Sequence, residues 1–261
     1  LYQVDAFTNR VFGGNPAAVV PLEAWLPEAQ LQAIAAENNL SETAYFIPLP
    51  EDRFHLRWFT PVNEVPLCGH ATLASAHVIL NLLQPARPSV RFQTLSGELV
   101  VERREDQLIM DFPRRIPEPC TPPQQLAAAL GAPPERVLKS DKGKDPNYYA
   151  VFADEDTVRG IRPDMALLEK IDAGGVCITA PGKASDFVSR YFAPAFGIPE
   201  DPVTGSTHCA LIPYWAERLG RQKLFAHQVS ARGGELHCEL RDDRVSIGGN
   251  AVLYLVGEIL L

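Results

Sequence analysis

Positive charge is scarce in this chain, and so are cysteine, long apolar runs and any nucleotide-binding fingerprint. Lys and Arg total 24 against 32 Asp and Glu, a formal net charge of −8. That balance argues against nucleic acid or an anionic membrane as a main partner. The short pairs Arg103-Arg104 and Arg114-Arg115 read as solvated surface. The cysteines (Cys68, Cys120, Cys177, Cys209, Cys238) are odd in number, widely spaced and never arranged C-x-x-C. Such usage suits reduced thiols in the cytoplasm rather than a disulfide frame. No metal is expected, since no His or Cys pair has zinc-ligand spacing. The longest apolar runs, 71–80 and 251–256, are too short for a membrane span. No signal-peptide pattern opens the chain; residue 1 is Leu, so a short initiator segment is expected before it. With no G-x-G-x-x-G and no lysine near the motifs below, no flavin, nicotinamide or pyridoxal cofactor is expected.

What is present is a hydrophobic content of 46% in 261 residues, enough to bury one large core or two ordinary ones. The chain also contains one stretch twice. Arg57-Trp58-Phe59-Thr60-Pro61 leads through Pro66 to Cys68-Gly69-His70, and Arg190-Tyr191-Phe192-Ala193-Pro194 leads through Pro199 to Thr204-Gly205-Ser206. The second copy carries an inserted triplet, Glu200-Asp201-Pro202. Farther on, Gly97-Glu98-Leu99 and Arg104-Glu105-Asp106 recur as Gly234-Glu235-Leu236 and Arg241-Asp242-Asp243. Repetition at this distance means two duplicated domains rather than a solenoid. Five prolines between Pro113 and Pro123 mark the seam. The expected boundaries are 1–115, with 251–260 as a candidate completing strand, and 116–250.

Each copy reads as an aromatic strand, a Pro-bearing turn, a Gly and then a helix. A strand entering a helix through glycine leaves unpaired N–H groups at the positive end of the helix dipole, a ready seat for a carboxylate or oxyanion. Two such seats related by duplication are expected to face one cleft, taken as the active site. The run 71–80 is small and apolar on every side, which predicts a buried central helix. Within it, His77 reads as a hydrogen-bonded core or boundary histidine. Elsewhere the pattern predicts helices over 26–38, 123–130, 163–171 and 207–219, the last kinked or delayed by Pro213. Gly13-Gly14-Asn15-Pro16 reads as a plain turn after the strand 2–7.

Glu42 opens the strand run Thr43-Ala44-Tyr45-Phe46-Ile47. It is either a solvated charge at a strand entry or a carboxyl in apolar surroundings, where loss of hydration suits it to general acid–base work. Aligning the halves puts Glu42 on Gly175, so the second half has no carboxylate there.

Taken together, Asp5-Ala6-Phe7 with Phe12-Gly13-Gly14-Asn15-Pro16, Ser41-Glu42-Thr43-Ala44, Phe59-Thr60-Pro61 with Gly69-His70-Ala71, and Asp201-Pro202-Val203-Thr204-Gly205-Ser206 resemble the PhzF family of phenazine-biosynthesis-like isomerases, nearly end to end. The resemblance implies the diaminopimelate-epimerase-like fold. That fold is α/β (α+β), with two pseudo-symmetric domains, each a barrel-like, mostly antiparallel sheet around a central buried helix. It implies Glu42 as the catalytic proton carrier, with His70 and Asp201 managing charge. Ser206, Cys68, Thr204 and the backbone at Gly69 and Gly205 would bind substrate. Epimerases of that fold oppose two cysteines; here Cys68 keeps the first place and Thr204 takes the second, and a threonine hydroxyl is too weakly acidic to serve as a base.

The expectation is therefore a cofactor-independent isomerase moving a proton within a small carboxylate-bearing substrate, with a homodimer left open. Two alternatives stand beside it. One is an epimerase or racemase with Glu42 and Cys68 as unlike bases; the other is a non-catalytic binding protein for small carboxylates. A Cys68–His70 nucleophile pair is disfavoured, because side chains two residues apart at a helix start are expected to diverge.

Overall fold

The sequence repeat is carried by a repeated hydrogen-bond ladder, seen in a computed structural model that describes residues 1–140 and 146–261. The chain divides into two units, Leu1–Phe112 with Ser246–Leu261, and Pro113–Val245. Both mix strands with a few helices, and the sheet is not closed.

In the first unit, β1 (Tyr2–Ala6) pairs antiparallel with β2 (Asn15–Pro21), whose chain then forms α1 (Glu28–Asn38). α1 buries Leu31, Ile34 and Ala35, three positions on one helical face, and ends at Asn39 in the left-handed conformation. β3 (Glu42–Leu49) lies parallel to β2 and antiparallel to β4 (Arg53–Phe59), which meets the two-residue β5 (Glu64–Val65). Then comes α2 (Gly69–His77), buried at every residue from His70 onward and packed on β1, β2 and β3. β6 (Ser89–Thr94) returns parallel to β4, and β7 (Gly97–Arg104) and β8 (Gln107–Pro113) complete a meander.

The second unit repeats that order. After β9 (Glu118–Pro119) and α3 (Leu126–Leu130), β10 (Arg136–Ser140) pairs antiparallel with β11 (Asn147–Val151). α4 (Glu155–Gly160) and α5 (Met165–Leu168) stand where the first unit has α1. β12 (Gly175–Pro181) lies parallel to β11 and antiparallel to β13 (Phe187–Ala193), which meets β14 (Ile198–Asp201). α6 (Gly205–Leu219) follows, then β15 (Lys223–Gln228), parallel to β13, with β16 (Gly234–Arg241) antiparallel to β15. β17 (Arg244–Gly249) carries the chain back into the first unit, to which β18 (Ala251–Val256) belongs and where it pairs with β1.

Register fixes the correspondence residue by residue. Thr43 pairs with Phe59 as Val176 pairs with Phe192, so Glu42 and Gly175 hold equivalent positions at the starts of β3 and β12. The inserted triplet is absorbed as a register shift where β13 meets β14. The repeated arginines keep one environment. Arg57 makes a two-pronged pair with Glu64, at 2.7 Å on each prong, with its guanidinium 5.0 Å from the Phe59 ring centre. Arg190 does the same with Glu200, at 2.8 and 3.0 Å, and lies 5.0 Å from Phe192. Such forked, stacked pairs fix a strand edge better than a lysine would.

Several expected helices differ in extent. The helix predicted over 71–80 is α-helical only to His77 and continues as a π-helical stretch, Val78–Leu83. Asn81 Nδ2 reaches back 3.0 Å to His77 Nδ1 there, and Arg103 binds the carbonyls of Leu80 and Pro85 beyond. The helix predicted over 163–171 shrinks to the four residues of α5, while α4 was not foreseen at all. α4 is capped by the Asp154 side chain, which accepts from Thr157 N at 2.8 Å, but is too short to show helical periodicity. Pro213 sits inside α6 without delaying its start. No helix among the described residues is long and apolar enough to cross a membrane.

Candidate active site

β3 and the start of α2 bring Glu42, Cys68 and His70 together. β3 must enter the sheet at Glu42, because Ala44, Tyr45 and Phe46 are buried in the following positions. Cys68, in extended conformation, ends the approach to α2, and no side chain caps that helix. Its first N–H groups, at Gly69 and His70, therefore remain available to an anion. The small-residue helix lets the backbone sit deep: Thr72 Oγ1 donates to Cys68 O at 2.5 Å and Ser75 Oγ to Ala71 O at 2.7 Å, so both buried hydroxyls are satisfied within the helix.

Glu42 Oε2 lies 3.1 Å from His70 Nε2, and the two side chains are 12% and 5% exposed. The contact is close but not aligned as a hydrogen bond. On the other side of the ring, Nδ1 is 3.2 Å from Asn15 Nδ2 and 3.5 Å from Cys68 Sγ. Cys68 and His70 thus converge on one ring nitrogen, where divergence was expected. The extended backbone at Cys68 swings the thiol towards the first helical turn.

Burial works against a charged His70, but the Cys68 sulfur and the Glu42 carboxylate outweigh it and hold the imidazolium well above its ordinary range. Burial, reinforced by the Glu42 charge, pushes the Cys68 thiol up to about 11. The thiol is therefore neutral at neutral pH, and Glu42 is the charge that sustains the imidazolium there. Donor atoms of these three residues all lie within 4.8 Å of one another. The sulfur addresses Nδ1 and the carboxylate Nε2, however, and one imidazole cannot offer both nitrogens to one ion. As arranged, the set fits a proton relay better than a metal cage.

In the second unit, Asp201, Thr204, Gly205 and Ser206 gather at the start of α6. Thr204 Oγ1 donates to Asp201 Oδ2 at 2.5 Å and accepts from Gln228 Nε2 at 3.1 Å. Gln228 also accepts from Thr204 N and donates to Asp201 O, each at 2.8 Å. This helix start too lacks a side-chain cap, since Thr204 bonds to Asp201 instead. His208 takes the place of Thr72 one turn in: its Nδ1 is 2.8 Å from Thr204 O, as Thr72 bonds to Cys68 O.

Gly175, at the position equivalent to Glu42, has no room for a side chain. A Cβ there would lie 2.2 Å from the Tyr191 hydroxyl oxygen. That hydroxyl is 3.0 Å from Asn147 Oδ1 and 3.3 Å from Gly174 O. The second unit has filled the carboxylate's place with a tyrosine, so the carboxylate is confined to the first unit.

Sequence reasoning missed two residues, Asn15 and Gln228, both fully buried. Asn15 sits directly after a glycine pair that already signals an unusual turn. Gly14 has φ of +59°, and a Cβ there would lie 2.0 Å from Ala6 O, so the chain must pass this point as glycine. Gln228 lies in an ordinary strand, with no signal to set it apart.

Comparison with known proteins bears on what the site does. Residues 4–257 match the family model of phenazine biosynthesis-like proteins, PhzC-PhzF. An uncharacterised isomerase of Pseudomonas aeruginosa is 52% identical, over 100% of this chain and 98% of its own. A crystal structure of a PhzF-family phenazine biosynthesis protein from Enterococcus faecalis superposes with TM-score 0.94 at 48% identity, covering 100% of this chain and 98% of that one. At 11% identity and TM-score 0.60, a hydroxyproline epimerase from Agrobacterium vitis shares the fold over 97% of this chain and 90% of its own. The chain belongs to the phenazine biosynthesis-like PhzC-PhzF family and is an isomerase.

Proposed function

We propose that this isomerase moves a proton within a small, carboxylate-bearing, cyclic or otherwise conjugated substrate without a cofactor, with Glu42 as the acid–base group. The observation that carries this reading is the largely buried Glu42 carboxylate, 3.1 Å from His70 Nε2 beside an uncapped helix start. Glu42 takes a proton from a carbon acidified by the neighbouring carboxylate or enol system. The C–H electron pair moves into the conjugated system, and Glu42, whose proton can exchange with solvent, protonates a different carbon. Nothing is oxidised or reduced, so the reaction needs no external electron carrier. The imidazolium of His70 offsets charge beside Glu42, and the N–H groups at Gly69 and the helix start stabilise negative charge as it develops on substrate oxygen. Asp201 and Ser206, with the backbone at Gly205, are assigned to binding substrate heteroatoms, and Thr204 to holding Asp201 in place.

The two-base epimerase reading is weakened by Cys68, whose thiol at about 11 is a poor base at neutral pH. A non-catalytic binding role leaves the buried Glu42–His70 pair without a purpose. The test is a screen of small cyclic and aromatic carboxylates in deuterated buffer, read by proton NMR. Double-bond transposition or loss of one carbon-bound proton signal, without added cofactor, is the expected result. Deuterium in recovered substrate of inverted configuration would support the epimerase instead.

A further inference from the structure

The turn that delivers Asn15 to the site is built with unusual care. Phe7, Phe12 and Gly14 all take positive φ, and Asp5 Oδ2 accepts the Phe12 N–H at 2.8 Å. The result is a fully buried amide whose nitrogen lies 3.2 Å from His70 Nδ1. We infer that Asn15 is a positioning residue: it donates to Nδ1 of His70 and so keeps the proton of the neutral ring on Nε2, toward Glu42. Both neighbours of Nδ1, the Asn15 amide N–H and the Cys68 S–H, are donors, whereas the neighbour of Nε2 is a carboxylate. A neutral imidazole between two donors and one acceptor has a single low-energy tautomer. Nδ1 is then the nitrogen that gains and loses a proton, while Nε2 keeps its own throughout. When Nδ1 is protonated, the Asn15 amide can turn to present its carbonyl oxygen.

Among the described residues, few titratable groups lie around His70. Glu42 faces it from β3 and Cys68 from the turn before α2. On β1, Asp5 has an oxygen engaged by Phe12 N–H. β2 carries no titratable side chain, and β18 carries only the exposed Tyr254. Asn15 is thus the neutral partner that decides between the two nitrogens.

This inference rests on the same site as the proposed function and keeps an N–H of His70 on the Glu42 side of the ring, but its test needs no substrate. The protein is labelled with 15N-histidine, and the tautomer of His70 is read from long-range 1H–15N spectra between pH 5 and 10. Glu42→Asp is used as the background, because the shorter side chain draws the charge back from the ring while Nε2 keeps a carboxylate neighbour. Neutral His70 is expected to carry its proton on Nε2, with Nδ1 titrating. Adding Asn15→Asp, which keeps the shape but only accepts, should move the neutral ring's proton to Nδ1 and raise its affinity for the second proton at least tenfold. A neutral His70 protonated on Nδ1 with Asn15 intact overturns the inference, as does an Asn15→Asp spectrum and midpoint identical to those of the background. Should Asn15→Asp fail to fold, the tautomer in Glu42→Asp alone decides. A correct tautomer combined with no proton-transfer activity would leave Asn15 as assigned and remove only the proposed reaction.

Discussion

Glu42 Oε2 and His70 Nε2 lie 3.1 Å apart, one from the start of a strand and the other from the first turn of a buried helix. Among the described residues the pair exists only in the first of two units built to one plan. Its counterpart position in the second unit, Gly175, is closed by a tyrosine ring. On the function proposed above, that one-sided carboxylate would act as a single acid–base group.

The charged pair makes stability depend on pH with a definite sign. The folded pKa of His70 is raised, so its contribution is full below the unfolded value near 6.5 and is lost as pH rises through the folded value. In thermal melts, wild type should exceed His70→Gln by most in mild acid, and the difference should shrink at alkaline pH. A gap that widens with rising pH would contradict the assignment.

His208 and His77 predict the opposite trend. Burial lowers both to about 4, with Arg103 also acting on His77. The neutral folded form contributes stability above about 6.5 that is lost as pH falls towards 4, on the order of 3 kcal/mol each. Replacing His208 with Gln should therefore flatten the loss of melting temperature between pH 6.5 and 4, at some cost at neutral pH from the altered bond to Thr204 O.

Cys68 should be chemically quiet. With its thiol near 11, alkylation by iodoacetamide in the folded protein should be far slower than for free cysteine at pH 7. Cys68→Ala should keep kcat within about tenfold of wild type, whereas loss of an acid–base group costs ~10²–10⁴-fold. A drop of that larger size would restore the two-base epimerase.

Position 175 is predicted to tolerate nothing larger than glycine. Gly175→Ala forces its Cβ against Tyr191 and should cost about 1–3 kcal/mol, measured by denaturant unfolding. Adding Tyr191→Leu should recover part of that loss.

The duplication was legible because its markers are residues with backbone or stacking duties: Arg57 and Arg190, Phe59 and Phe192, the glycines before each central helix. These resist replacement, and the ladders confirm their register. The pattern around Glu42 left two readings open, a solvated strand entry or a carboxyl in apolar surroundings, and its side chain is 12% exposed beside His70. Less could be read where chemistry depends on distant chain segments. Nothing near Cys68 says that Asn15 flanks the same nitrogen, because that meeting is set by the fold of β2 against α2. The short α4 and the π-helical stretch at Val78–Leu83 fall below the length at which periodicity speaks.

Glu42→Gln separates acid–base chemistry from binding at this site. The substitution keeps the volume and removes the base. With a substrate from the carboxylate screen, turnover and solvent-deuterium exchange should both fall by ~10²–10⁴-fold, while the protein stays folded and substrate affinity stays close to wild type. Turnover near the wild-type rate in a folded, substrate-binding Glu42→Gln protein would contradict the account.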